Sequence, residues 1–393
     1  MTAARGRAVY ILCAGHTARA GGIGRFIGNL VHGLAAVAPE LRLRVVDTRG
    51  SGAIGLAPFV FAAALANIAV GAACGRIALL HVNLASRGST VRKLIVVALG
   101  AALRLPIVIH LHGARFDAFY RSRPAWARRA IAWMFARADR VIALGPHWQR
   151  FVTAEIGVPP GRIVMIANGV ARPAAPAAIA APDPPHILFL GRLGQRKGVD
   201  ALLAALASPA LAARRWRATL AGDGDVAGWT ERARRLGLDQ RVRLPGWVHA
   251  ETVEQLLASA TMLVLPSHAE GLPMAVIEAL AYRIVVVTTP VGAVPDFLAD
   301  GESAVLVPPG DADALARAIA GLLDDAALRA RIADGGHAAY RRHFDIEAVS
   351  RRIRDVYADV LAHRRMAAAD DPSRAARISP RWCRLRNGVA GPR

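Results

Sequence analysis

Short unbroken apolar runs alternate along this chain with longer amphipathic stretches, and the alternation occurs twice. In the first half the runs are Val9–Cys13, Leu43–Val46, Ala78–Val82, Ile107–Leu111, Val141–Leu144 and Ile163–Ile166. Helical spacing fills the intervals, as in Ile23–Ala36, Val91–Leu103 and Trp126–Ala136. In the second half the runs are Ile187–Leu190, Ala218–Ala221, Val242–Leu244, Met262–Leu265, Ile284–Thr288 and Ala304–Val307. Continuous apolar strands suit a parallel sheet covered on both faces. Strand–helix alternation implies doubly wound α/β units. The 393 residues allow about two such domains, at ~100–200 residues each.

The break is visible. Residues 171–185, ARPAAPAAIAAPDPP, are rich in Pro and Ala and offer little that could pack, so they predict a linker. Domains are therefore expected over 1–170 and 186–345, followed by a helix over 346–363 for which a return to the first domain is one option. The tail, 364–393, with Pro372, Pro380 and scattered Arg, is expected to be disordered. One stretch, Gly50–Gly75, carries no charge and is long enough to span a bilayer. Its Pro58, Asn67, several Gly and dominance of Ala predict instead a covered helix packed on the first sheet.

Composition changes the picture in two ways. Three cysteines (Cys13, Cys74, Cys383) stand far apart with no CxxC pair, which argues for a reducing, cytoplasmic compartment and against a zinc site or disulfide framework. Arg5 and Arg7 precede only the short run Ala8–Ala14, which predicts a first strand rather than a secretory leader. The formal charge of +21 is unevenly spread. Residues 1–170 hold 21 bases and 5 acids, residues 171–363 hold 21 and 22, and residues 364–393 hold 8 and 2. Of the 50 bases 48 are Arg, a bias that explains the choice of cation but not the loss of acids from one half. That polarity predicts an anionic partner. A nucleic acid is not expected, because no basic module with base-stacking aromatics is recognisable.

Candidate chemistry begins at PSHAEGLPMAVIEALAY, residues 266–282. In an open parallel sheet, ligands gather beyond the carboxyl ends of strands. Met262–Leu265 is such a strand, Pro266–Gly271 the loop after it, and Pro273 suits a first helical position. The N–H groups near Met274 and Ala275 would then face the ligand side, where exposed donors and the helix dipole favour phosphate. Glu270 stands just outside that start and Glu278 about one and a half turns inside. Carboxylates bind phosphate poorly but accept well from hydroxyls. A phosphate flanked by two hydroxyl acceptors describes a nucleotide sugar; the bland alternative is a capping Glu270 and a solvated Glu278. A second fragment, ILFLGRLGQRKG at 187–198, places Arg192 and Lys197 after a strand among glycines that allow close backbone approach. Lys197 and Lys93 are the two lysines of the chain. A compact ammonium acts on phosphate as a point charge, so Arg192 and Lys197 are candidates to neutralise a diphosphate.

The pair GRLGQRKG and EGLPMAVIE resembles the signature of retaining glycosyltransferases of family four, which have two Rossmann-like doubly wound parallel-sheet domains facing across a cleft, the GT-B architecture. GGIGR (Gly21–Arg25) resembles that family's amino-terminal glycine loop, and HLHG (His110–Gly113) stands where such enzymes often place an active-site histidine. ANGV (Ala167–Val170) and AGDGD (Ala221–Asp225) also match, and TPVGAVPD (Thr289–Asp296) matches more loosely. The resemblance, over about residues 8–360, implies that Arg192 and Lys197 hold a donor diphosphate. Glu278 would bind ribose hydroxyls, and Glu270 hydroxyls of the transferred sugar. Backbone N–H groups near Gly22, Met274 and Ala275 would approach the donor. His112 would lie beside donor sugar or acceptor, although a lone histidine can equally be a core residue.

The implied reaction moves a hexose from a UDP- or GDP-sugar to an acceptor hydroxyl, with the nucleotide sugar as co-substrate, no cofactor and no metal. The implied acceptor-handling half is the basic one. Arg121–Arg140 carries six Arg with Trp126, Trp133 and Phe135, a pattern able to lie on anionic lipid. A lipid-linked saccharide acceptor in surface polysaccharide assembly, and a peripheral place on the inner face of the plasma membrane, fit that pattern. The alternatives are a nucleotide-sugar epimerase of the same build and a nonenzymatic binder of anionic surfaces.

Overall fold

The computed structural model describes residues 6–14, 21–50, 54–173 and 182–369. The chain divides into two compact units, Met1–Ile166 with Val349–Arg393, and Ala167–Ala348.

The first unit begins with β1 (Ala8–Cys13), α1 (Gly22–Val37), β2 (Arg42–Asp47) and α2 (Ala57–Ala73). It continues with β3 (Ile77–Leu84), α3 (Gly88–Ala102), β4 (Ile107–Leu111), α4 (Phe116–Arg121) and α5 (Ala125–Ala136). β5 (Arg140–Ala143), α6 (Pro146–Phe151) and β6 (Ile163–Met165) complete the run. The strands form one sheet in the order β2-β1-β3-β4-β5-β6, with every pair parallel. Parallel pairing needs a crossover through a helix, and covered faces explain why β4 (IVIHL) is buried at every position. Right-handed crossovers put α2, α3 and α5 on one face of the sheet, where α3 packs between the other two.

The second unit holds β7 (His186–Leu190), α7 (Val199–Leu206), α8 (Pro209–Ala212), β8 (Arg217–Ala221) and α9 (Val226–Arg235). Then come β9 (Val242–Gly246), α10 (Ala250–Ala258), β10 (Met262–Leu265), α11 (Met274–Ala281) and β11 (Val285–Thr288). β12 (Val305–Leu306), α12 (Ala312–Asp324) and α13 (Ala326–His343) close it. Its parallel sheet runs β12-β11-β10-β7-β8-β9. Strand order therefore turns back between β7 and β10, which pair Met262 with Ile187 and Leu263 with Leu188. The two loops that carry the candidate residues consequently leave adjacent strand ends, the place where such sheets bind ligands. All four β10 side chains are buried, each contributing about 1.5–3 kcal/mol of apolar burial.

Four expectations are corrected. The division falls after Ile166 rather than Val170, because 167–170 is tied to the second unit. Asn168 Nδ2 donates to the Leu272 carbonyl at 3.1 Å, and the Ile346 amide donates to the Val170 carbonyl at 3.1 Å. The last helix, α14 (Ile346–Ala369), runs six residues beyond the expected His363, and Arg364 is ordered in it by Asp139 at 2.6 Å. The uncharged stretch forms α2, but with Ala64, Ile68 and Gly71 alone buried it is a surface helix rather than a covered one. Pro273 sits one place earlier than expected, as the N-cap with extended backbone, and α11 opens at Met274. The predicted linker lies largely outside the described residues at 174–181, as does the tail beyond 369. No helix among the described residues is long and apolar enough to cross a membrane.

Candidate functional site

The loop after β7 tightens at Gln195–Lys197 into one 3₁₀ turn and ends at Gly198, with φ +70°. A Cβ on Gly198 would run into the Pro266 carbonyl, so glycine lets this loop lie against the loop after β10. The His268 amide donates to the Arg196 carbonyl at 2.9 Å, and an Arg196 guanidinium nitrogen donates to the Ala269 carbonyl at 2.7 Å. The two loops are thus stitched in both directions.

This seam brings Lys197 and Glu270 together. Lys197 Nζ donates to Glu270 Oε1 at 2.5 Å, and Ser267 Oγ donates to the same oxygen at 2.7 Å. The Arg196 guanidinium lies 3.7 Å from Glu270 Oε2. Both members of the Lys197–Glu270 pair are largely shielded, with side-chain exposures of 14% and 8%. A buried carboxylate needs such partners, because an unpaired charge away from water is costly. A third loop supports the second: Thr289 Oγ1 donates to the Ser267 carbonyl at 2.6 Å, and the Ala293 amide to the Gly271 carbonyl at 2.8 Å. Gly292, at φ +61°, packs so closely on the Glu270 carbonyl that no side chain fits there.

Glu278 is buried inside α11, as is Met274 at its first position; Ala275 is half-buried. The first-turn amides of α11 lie beyond the reach of intrahelical acceptors, and no side chain caps them. Asp225, Asp311 and Asp325 cap the starts of α9, α12 and α13, whereas α7, α8 and α10 are uncapped like α11. An anion at the open end of α11 would meet amide donors and the positive end of the helix dipole. Arg192 is not drawn to the pair. It is exposed, 3.9 Å from the exposed Asp223.

The first unit holds the other two candidates. Gly22 opens α1 and is exposed, with Gly21 before it. His112 follows β4, where its amide donates to the Leu84 carbonyl at 2.9 Å. Its ring is buried; Nε2 lies 2.9 Å from Asn83 Oδ1, and the ring centroid lies 3.9 Å from that of His110. Behind it His110 Nδ1 meets His81 Nε2 at 3.2 Å, and His81 Nδ1 meets the Tyr357 hydroxyl of α14 at 2.5 Å. Burial pushes His81 down to about 3. It also holds His110 well below the usual histidine range, with neighbouring His112 and His81 acting in the same direction. Both are neutral at pH 7, as a buried imidazole pair must be.

Sequence reasoning missed Arg196, Ser267, Thr289, Gly292, Asn83 and the His81–Tyr357 partnership. Arg196 was legible as a third cation beside Lys197. Ser267 was legible as a hydroxyl three residues before Glu270; the others act through spatial neighbours more distant in the chain, which no local pattern signals.

The family model described as Glycosyl transferases group 1 matches residues 184–325, and the one described as Glycosyltransferase Family 4 matches residues 20–172. A lipopolysaccharide core biosynthesis glycosyltransferase LpsE of Rhizobium meliloti is 32% identical over 230 residues, 57% of this chain and 61% of the relative. A glycogen synthase of Mycobacterium tuberculosis is 28% identical over 229 residues, 58% of this chain and 55% of the relative. The chain spans about half the length of the curated relatives it matches. Among solved structures, sucrose-phosphate synthase from Thermosynechococcus elongatus shares the fold at TM-score 0.71 and 20% identity, over 91% of this chain and 100% of that one. Anabaena HepE in complex with UDP-glucose does so at TM-score 0.70 and 21% identity, over 90% and 99%.

Proposed function

The chain belongs to the group 1 glycosyltransferases, with the two parallel-sheet α/β units of the GT-B fold, and on that premise we propose that it moves a hexose from a nucleotide-diphosphate sugar to an acceptor hydroxyl with retention of configuration. The observation that carries this reading is the shielded Lys197–Glu270 pair at the uncapped start of α11, with Glu278 buried one turn and a half inside. Lys197 spends one of its three donors on Glu270 and keeps two for phosphate oxygens. The α11 amides add fixed dipoles. Arg192, exposed on the same loop, is a second cation for the diphosphate. Glu270 retains lone pairs for hydroxyls of the transferred sugar, and Glu278 takes the ribose.

In the proposed step the bond between the anomeric carbon and the diphosphate oxygen breaks, and its electron pair leaves with the diphosphate. The acceptor oxygen bonds to the same face of that carbon, and its proton passes to the departing phosphate oxygen. Negative charge builds on the leaving group, so preorganised cations and amides supply the main acceleration. Within the first unit His112, held by Asn83, is our candidate for contact with the acceptor.

The acceptor we propose is a saccharide carried on lipid and met at the anionic inner face of the plasma membrane. The names of LpsE and of a putative colanic acid glycosyltransferase WcaL from Salmonella typhimurium support a surface-polysaccharide role. The HepE complex supports a UDP donor. The test is a panel of UDP-, GDP- and ADP-sugars, read by thermal shift and by donor hydrolysis. One donor should raise Tm and be hydrolysed slowly; a flat response to all of them refutes the reading.

A further inference from the structure

The solvent side of the first unit's helical layer is apolar where a surface should be polar. On α2 the outward positions at helical spacing are Phe59, Ala63, Ala66 and Val70, with no charged residue anywhere in the helix. Phe59 is 73% exposed and Val70 57%. On α3 they are Val91, Ile95 and Ala98, with Val91 60% exposed. On α5, Trp126 is 73% exposed and Trp133 stands out beside it, the Arg137 guanidinium 5.2 Å from its ring. Since α3 packs between α2 and α5, these positions lie on one continuous face. A contiguous apolar surface of this kind marks an interaction site.

Charge says what kind. Between Asp47 and Asp117 the sequence holds no acid, while Arg92 of α3 and Arg128 and Arg129 of α5 lie on the same layer. A face of Phe, Val, Ile and Trp, edged by arginine and built from three helices that carry no carboxylate, is complementary to an anionic lipid surface: rings enter the headgroup boundary and guanidiniums meet phosphates. The geometry points to the outer face of α2, α3 and α5 as the docking surface for anionic membrane. This is wider than Arg121–Arg140, and half of it lies on charge-free α2. Helices antiparallel to the strands put Phe59, Val91 and Trp126 at the end nearest the carboxyl edge of the sheet, where His112 follows β4. A lipid-borne acceptor would be delivered to that edge. The inference rests on the membrane-borne acceptor proposed above, and not on the donor chemistry.

The test is flotation of the full chain with vesicles of phosphatidylcholine and phosphatidylglycerol, against phosphatidylcholine alone, for wild type, F59E/I95E and R128E/R129E. These side chains are exposed, and thermal melting checks that the variants fold. Wild type should float with anionic vesicles, and each double variant should bind roughly tenfold more weakly. Wild type that stays at the bottom overturns the inference while leaving donor hydrolysis untouched. F59E/I95E floating like wild type overturns this choice of surface. A wild-type dimer that F59E/I95E splits identifies the face as a contact between copies and overturns it too.

Discussion

Two lysines stand in a chain that otherwise uses arginine, one buried and one half-buried, and both ammonium groups are engaged. Lys93 is buried in α3, where its ammonium donates to the Cys13 carbonyl at 3.3 Å and to Thr48 Oγ1 at 2.9 Å; burial lowers it to about 7. Lys197 is shielded against Glu270. A planar guanidinium would put a rigid fork of five donors in place of each compact ammonium. Lys197→Ala is expected to lower turnover about 10²–10³-fold, near 3–4 kcal/mol, in a steady-state assay with the donor found above. Lys197→Arg should not restore it. Gly292→Ala tests the support beneath Glu270. A left-handed φ and a carbonyl in the way of the new Cβ should together cost about 2 kcal/mol or more, visible as a lower Tm.

At the scale of elements, β3 and β4 carry the histidines that the rest of the first unit must keep neutral. His81 and His110 are fully buried, and below pH 6.5 the unfolded chain takes up protons that the folded one refuses. Unfolding therefore binds protons, and stability falls as pH drops. The expected slope is about 1.4 kcal/mol per pH unit per histidine, from an unfolded value near 6.5 downward. For His81 the loss continues to about pH 3. Melting curves between pH 7 and 4.5 measure it, and His81→Phe should flatten the profile by one proton. For α11 the informative position is Glu278. Replacing its carboxylate by an amide weakens charge-assisted bonds to hydroxyls, so Glu278→Gln should loosen donor binding by roughly 10–100-fold, read by calorimetry with the preferred donor.

For the whole molecule, α14 is the element farthest in sequence from the unit it joins, and its return to the first domain was one of the options read from the sequence. From Val349 onward it belongs with the first unit. There Ile353, Tyr357 and Val360 are buried, Arg140 pairs with Asp359 at 2.6 Å, and Arg364 with Asp139. Ending the chain at Ala348 is expected to unfold the first unit, whereas ending it at Ala369 should leave its melting unchanged. Limited proteolysis of the two truncated chains separates these outcomes. The charge of the first half follows the same logic, since acids are missing from the layer whose apolar side chains face outward.

The paired parallel sheets were legible from the sequence because strand runs and helical spacing are local signals, and all twelve predicted strands lie within two residues of those formed. The loops that carry Arg192, Lys197 and Glu270 at adjacent strand ends, and the helix that carries Glu278, were legible too, since the glycines and proline there fix backbone shapes that only a few neighbours tolerate. What the tertiary structure alone decided is who meets whom. Lys197 took Glu270 while Arg192 turned to Asp223, Thr289 and Gly292 braced a loop twenty residues away, and α2 came to lie on the surface. Those outcomes depend on which strands become neighbours and how much of each helix the next one covers. Both are sums over the entire chain, and no window of it contains them.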